Sequence, residues 1–336
     1  MKAWILHDFG IKNLKLECVE KPSPKNGELL IKVGAASFNF RDKAIIDGFY
    51  EPHRIPKNLI PVSDAAGVVV AVGDGGSKFK IGDRVTTHLY SNWIDGSPKH
   101  NELDYCFGMP LPGGLAEYMI IHESAAVAVP DYLTDEEAST LPVAALTAWY
   151  ALSDFGNIKS NDTVLVQGTG GVAMFAVQFA SALGAKVIVT SSNDQNIRKA
   201  IKFGASMGIN YRLNPAWEEI ALELTEGKGV DLTIELAGGD GINQTAMATK
   251  VGGKIAQIGF LDGQVSQLHL MPIILRQLTI RGFAVAPRLA YEEMNKFLMV
   301  NKIHPVIDKI YSFDQVEDAY NHLTKGAFGK VVIKIS

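Results

Sequence analysis

The sequence predicts an α/β chain in which a doubly wound parallel sheet follows a β-rich, barrel-like domain. Three observations carry this. Residues 163–190 read as strand, glycine turn, helix, turn, strand. Strand and helix patterns then alternate to about Phe260, which implies a parallel sheet with right-handed crossovers. Ahead of them lie several short strands separated by turns, as in a barrel.

In chain order, Lys2 to Leu6, Leu14 to Leu16 and Glu28 to Val33 are short apolar-rich runs, the last following a Pro-Ser-Pro-Lys-Asn-Gly turn cluster. Asp64 to Val72 is a further strand, with Gly67 at a close approach or bulge. Phe79 to Val85 leads into another. Residues 90–114 are irregular and long for a structureless loop, which marks a lid or an insertion. Gly114 to Ile121 returns to a strand. Thr134 and Glu137 have the spacing of a capping box, and Ala144 to Leu152 reads as a helix.

After the glycine turn, helices are expected at Asn196 to Phe203, Ala216 to Thr225 and Ile242 to Val251. Strands are expected at Ser206 to Tyr211, Val230 to Leu236, Gly253 to Phe260 and Leu278 to Phe283. Tyr291 to Asn301 and Gln315 to Thr324 read as helices, and Lys330 to Ile335 as a closing strand. The last sixty or so residues are expected to return to the first domain.

Composition narrows the class. The 336 residues are 47% hydrophobic and 20% charged, as in an ordinary globular chain. A net charge of −4 with no basic run gives no case for nucleic acid or an anionic membrane. No apolar stretch reaches membrane-span length, and the N-terminus has no signal-peptide core. The two cysteines, Cys18 and Cys106, suit a reducing compartment, so a cytoplasmic protein is expected.

The glycine turn carries the chemistry. Gly168 permits a sharp turn off the strand, and Gly170 lets the backbone approach a pyrophosphate. Ala173 is small enough for the helix to pack on the strand. The N–H groups that open the helix, at Gly170, Gly171 and Val172, face the phosphates with the positive end of the helix dipole.

The order of these parts, with GDRV (82–85), GGLAEY (113–118), LPVAALTAWYAL (141–152), VQGTGGVA (166–173), FGA (203–205), INY (209–211) and GKVVI (329–333), resembles the medium-chain dehydrogenase/reductase superfamily nearly end to end. Within it the chain is similar to the zinc-independent branch, near the quinone reductases and zinc-type alcohol dehydrogenase-like proteins. The resemblance implies a GroES-like catalytic domain over 1–125 and 273–336 and a Rossmann nucleotide domain over 126–272. It also implies a homodimer, for which the strand Leu278 to Phe283 offers an apolar sheet edge.

By the same resemblance, the catalytic-zinc positions are Asn39, Ser63-Asp64 and Val143, and the four-cysteine structural lobe is missing. Zinc needs three good ligands and an open position, so no zinc is expected. The resemblance assigns Thr147, Gly238, Gly259 and Phe283 to the cofactor set and has Lys330 reach the phosphates. Ser191 fills the slot where an acidic residue would bind a ribose 2′-hydroxyl, and Tyr211 matches a phosphate-holding tyrosine. Asn196 replaces the expected lysine, which leaves the charge to Arg198 or Lys199. Asp194 is read as a helix cap. NADP(H) is expected over NAD(H).

Hydride transfer belongs to the nicotinamide, so the protein must orient the substrate and stabilise an oxyanion. Asn39 with Tyr50 resembles the N-x-x-D…G-x-Y pattern of quinone reductases. Tyr50 is the expected proton donor and Asn39 the oxyanion contact, with Ser63 and Tyr90 as further polar candidates. Trp93, Tyr90 and Tyr105 either line a mouth or simply pack. The expected activity is zinc-free, NADP(H)-dependent reduction of a small quinone, enone or carbonyl. The alternatives are NAD(H)-linked alcohol/aldehyde interconversion and a non-catalytic cofactor-binding relative.

Overall fold

The computed structural model describes residues 1–75 and 77–336. They form two compact units, Met1–Leu146 with Pro287–Ser336, and Thr147–Ala286. Both divisions fall later in the chain than the expected 125/126 and 272/273.

The first unit begins with β1 (Lys2–Leu6) and β2 (Leu14–Cys18), an antiparallel pair. Its main sheet contains β3 (Glu28–Phe38), β4 (Asp64–Val72), β5 (Arg84–Thr87), β6 (Tyr118–His122) and β7 (Ala126–Ala128), with helix α1 (Phe40–Ile46) after β3 and α2 (Asp135–Ala138) after β7. The eleven-residue β3 pairs with both β4 and β6 and carries two register irregularities against β4. Gly67 lies opposite one of them. A Cβ there would stand 2.1 Å from the Lys32 carbonyl, so the close approach expected from the sequence is real. Thr134 and Glu137 form the expected capping box at α2.

The second unit opens with a helical stretch over 141–156, begun in the first unit, whose middle is α3 (Leu146–Tyr150). Then come β8 (Thr163–Gln167), α4 (Gly171–Ala182), β9 (Lys186–Ser191), α5 (Asp194–Lys202), β10 (Met207–Asn210), α6 (Trp217–Leu224), β11 (Val230–Glu235), α7 (Ile242–Ala248), β12 (Thr249–Gln257), α8 (Leu270–Arg276) and β13 (Thr279–Gly282). The six strands are parallel in the order β10-β9-β8-β11-β12-β13. Val164, Leu165 and Val166 of β8 have no exposed surface, as a strand covered on both faces requires. The order reverses between β8 and β11, and in such sheets the crevice beyond the strand ends at the reversal takes the ligand.

The chain then returns to the first unit through α9 (Arg288–Asn301), β14 (Ile307–Ser312), α10 (Val316–Lys325) and β15 (Lys330–Lys334). β15 lies between β14 and β3, antiparallel to β3, with Val331 opposite Phe38. Among the described residues no helix is long and apolar enough to cross a membrane.

Besides the three-residue β7, three elements escape sequence reading. α1 has seven residues, too few to display a helical period, and forms where the Asp42 carboxylate accepts the Asn39 N–H at 2.8 Å. α8 carries Pro272 in its first turn and leaves Leu270, Met271, Ile274 and Leu275 exposed, so neither capping nor burial marks it. β14 is mostly exposed and lacks a clean alternation.

Candidate active site

Each unit holds part of the candidate machinery. In the nucleotide unit β8 ends at Gln167. Gly168 turns with φ +75°, its N–H donating to the Thr190 carbonyl at 2.8 Å. Gly170 is the N-cap of α4 and offers no side chain, so the first N–H groups of the helix, including those of Gly171 and Val172, have no capping acceptor. A Cβ built on Gly168 or Gly170 would meet nothing within 4 Å. These glycines are therefore not demanded by packing within the protein. They leave open space over amide donors, which fits a pyrophosphate.

Gly238 and Gly259 differ. A Cβ on Gly259 would lie 1.8 Å from the Leu236 carbonyl, and one on Gly238 would lie 2.8 Å from the Gly263 carbonyl. Contact between the segments after β11 and β12 accounts for both. The Gly238 N–H is also engaged, donating to Glu235 at 3.1 Å.

Sequence reading misses what holds this end of the sheet. Glu235, fully buried at the end of β11, accepts hydrogen bonds from Gln167 Nε2, the Thr245 hydroxyl and the N–H groups of Ala237 and Gly238. Gln167 Oε1 in turn accepts from the N–H groups of Leu236 and Ala237, each at 3.1 Å. Burial pushes the Glu235 carboxyl up, against the pull of its donors. The only signal in the sequence is one acid at the end of an apolar strand.

Ser191 ends β9, is buried, and its Oγ accepts the Asn193 N–H. Asp194 is not the cap of α5. Asn193 is, accepting the Gln195 N–H at 2.8 Å, while Asp194 is the first helical residue and takes Asn210 Nδ2 at 2.6 Å. Asn196, where a lysine was expected, donates to the Thr169 hydroxyl and ties α5 to the glycine turn. Arg198 and Tyr211 are exposed. Thr147 is buried in the helical stretch. The Phe283 ring packs edge-on against Tyr150 and Phe155, with the Arg281 guanidinium 5.0 Å from its centroid. That half-buried side chain belongs to an aromatic cluster.

In the first unit four charged side chains are buried together: Arg41, Asp42, Asp64 and Lys330. Asn39, 8% exposed, joins them. Ser63 donates its N–H to Asp42 and its hydroxyl to Asp64 at 2.8 Å, so this fully buried serine is committed to the network and does not serve as the reaching group the sequence suggested. Asp64 Oδ2 also accepts the Val143 N–H. Lys330 departs furthest from expectation. Only 2% exposed, it donates to the Phe38 carbonyl at 2.8 Å and to Asn39 Oδ1 at 2.6 Å, and stands 4.0 Å from Asp64. The expected solvent-facing phosphate contact is an interior ammonium.

Arg41 lies 3.6 Å from Asp42, donates to the Phe107 carbonyl and to Cys106 Sγ, and sits 5.5 Å from the centre of the half-buried Tyr50 ring. It thereby pins the 90–114 segment from inside. Tyr90 and Trp93 are buried against each other, so they pack; Tyr105 alone of the three is exposed. Burial raises Asp42 to about 6 against the pull of Arg41, with the Asp64 charge adding to the rise; burial also pushes Asp64 up and Lys330 down, and these two oppose each other's shift.

Comparison with known proteins follows these two parts. A family model described as "Alcohol dehydrogenase GroES-like domain" matches residues 25–131, and one described as "Zinc-binding dehydrogenase" matches 171–300. A zinc-type alcohol dehydrogenase-like protein of Schizosaccharomyces pombe is 38% identical over 99% of both chains. The chain belongs to the medium-chain dehydrogenase/reductase superfamily. Its fold is that family's pairing of a GroES-like domain with a parallel-sheet Rossmann-like domain, and it is an oxidoreductase of the alcohol dehydrogenase-like kind. An acryloyl-coenzyme A reductase of Sulfurisphaera tokodaii is 31% identical over 95% of this chain and 96% of its own. The crystal structure of an NAD-dependent alcohol dehydrogenase superposes with a TM-score of 0.91 at 28% identity, covering all of both chains.

Zinc is in the name of one matching family model, and the residues at the resemblance's metal positions do not fit it. Val143 offers only its backbone, Asn39 Oδ1 is taken by Lys330, and Ser63 and Asp64 face each other. Among the described residues no three His, Cys, Asp or Glu side chains come together.

Proposed function

We propose that this dehydrogenase/reductase is a zinc-independent, NADP(H)-dependent enzyme that reduces a small activated acceptor: an enone, a quinone or a carbonyl. One observation carries the proposal. At the family's metal positions, Asn39 Oδ1 and the Asp64 carboxylate already have an internal cation, Lys330, beside them, while the glycine turn of the other unit lies open.

Gly168, Gly170 and the first N–H groups of α4 would hold the pyrophosphate, with Ser191, Arg198 and Tyr211 toward the adenosine 2′-phosphate and Thr147 toward the nicotinamide. The bound dinucleotide supplies the hydride. Asn39 would donate to the developing oxyanion, and Tyr50, with its ring against Arg41, would hold the proton for the reduced product. The acryloyl-coenzyme A reductase relative supports a carbon–carbon double bond conjugated to a carbonyl. The NAD-dependent alcohol dehydrogenase structure favours a second reading, alcohol/aldehyde interconversion with NAD(H).

A panel of enones, quinones and aldehydes with NADPH and NADH tests these. Oxidation of NADPH with an enone or quinone supports the first reading, and NADH with aldehydes alone the second. Cofactor binding without turnover of any acceptor overturns both. Zinc found in stoichiometric amount overturns zinc independence.

A homodimer is part of the same proposal. β13 is an edge strand, and the exposed apolar side chains of α8 precede it, so a second copy extending the sheet would cover both. A monomeric mass in solution refutes it. Two unpaired cysteines are consistent with a reducing, cytoplasmic setting.

A further inference from the structure

We propose that Lys330 is a positioning residue of the first unit: its ammonium is the resident cation at the family's metal position, and it orients the Asn39 amide with its oxygen on the ammonium and its nitrogen left as the donor. This rests on the assignment of Asn39 as the oxyanion contact.

Hydrogen-bond chemistry fixes the orientation. An ammonium has donors and no acceptor, so the Asn39 atom 2.6 Å from Lys330 Nζ is the carbonyl oxygen. The amide nitrogen is therefore turned the other way. It lies on the Asp64 side, where it helps hold that carboxyl down, yet no acceptor meets it in hydrogen-bonding geometry. A buried N–H without a full partner is costly, and an incoming oxygen would relieve it. The charge on Lys330 polarises the same amide and strengthens its N–H as a donor.

Charge balance fixes the identity of the cation. Asp42 and Asp64 have no exposed surface and need two positive charges. Arg41 serves Asp42, and Lys330 is the cation nearest Asp64. The lysine has no reach to spare for a phosphate. Its ammonium is buried, with two carbonyl oxygens and a carboxylate around it.

The test is a set of variants, Lys330→Met, Lys330→Arg, Asp64→Asn and the Lys330→Met/Asp64→Asn double, measured for Tm, NADPH Kd by fluorescence and kcat on the best acceptor. Lys330→Met is expected to lower Tm, and Asp64→Asn in the same chain to restore most of it. In both chains lacking the ammonium, kcat is expected to stay at least tenfold down while NADPH Kd changes less than twofold; Lys330→Arg recovers part of kcat. Recovery of kcat in the double variant would reduce Lys330 to a structural ion-pair partner and overturn the proposal. So would a tenfold weaker NADPH affinity at unchanged kcat, the mark of a phosphate ligand. If no acceptor is turned over by the unmodified protein, the proposed function fails by itself. Lys330 is then judged on Tm and cofactor affinity, and additive Tm changes for Lys330 and Asp64 would overturn its role as the resident cation.

Discussion

Lys330 Nζ and Asn39 Oδ1, 291 residues apart in sequence, lie 2.6 Å from each other inside the first unit. The contact exists because β15 pairs antiparallel to the end of β3, which sets the first residue of one strand beside the residue that follows the other. Replacing Asn39 by Ala removes one of the two carbonyl oxygens that Lys330 meets. The expected result is a loss of roughly 1–3 kcal/mol in unfolding free energy and a fall of tenfold or more in kcat/KM. Chemical denaturation and steady-state kinetics with NADPH check both, and unchanged kcat/KM removes Asn39 from the site.

The glycines separate into two kinds by substitution. Gly170 has φ −80° and open space around it, so Gly170→Ala is expected to leave Tm within a degree or two while weakening NADPH binding at least tenfold. Gly168→Ala, at φ +75°, is expected to cost about 1 kcal/mol as well. Gly259→Ala forces a methyl to 1.8 Å from a carbonyl and is expected to destabilise by about 3 kcal/mol or more. Unweakened NADPH binding in Gly170→Ala would contradict the glycine-turn site.

Glu235→Ala would leave the Thr245 hydroxyl and the Gly238 N–H without their buried acceptor, and would take one of two acceptors from Gln167 Nε2 and from the Ala237 N–H. A loss of roughly 3 kcal/mol is expected, with faster hydrogen exchange at Ala237 and Gly238. A variant as stable as the parent would show that water replaces the carboxylate at no cost.

Burial raises Asp42 to about 6 in the folded chain, above its ordinary value of 3.8. The folded state therefore holds this proton more tightly than the unfolded one. The stability it contributes is full below about pH 4 and is lost as pH rises through 6. Asp42→Asn is expected to flatten that part of the Tm–pH curve between pH 4 and 6, compared with the parent over the same range. An unaltered curve would show that Arg41 fully offsets the burial.

The two cysteines differ in access. Cys18 is exposed, whereas Cys106 is buried, its thiol pushed up by burial and donating to the Met109 carbonyl. A thiol reagent at pH 8 is expected to modify one cysteine quickly and the second only on unfolding. Two fast thiols would mean that the 90–114 segment opens.

The sequence by itself determined what depends on neighbours a few residues apart. The glycine turn, the Thr134–Glu137 cap and the strand–helix alternation are local matters of backbone freedom, side-chain reach and period, and Gly67 announces a close approach by lacking a Cβ. Only the tertiary structure decided which polar groups meet. Lys330 reads as a surface cation until β15 is laid beside β3; Ser63 reads as a free hydroxyl until Asp64 and Asp42 enclose it; Glu235 reads as one acid among many until Gln167, 68 residues away, reaches it. Burial makes the difference, because a charge in water is indifferent to partners that the interior makes obligatory.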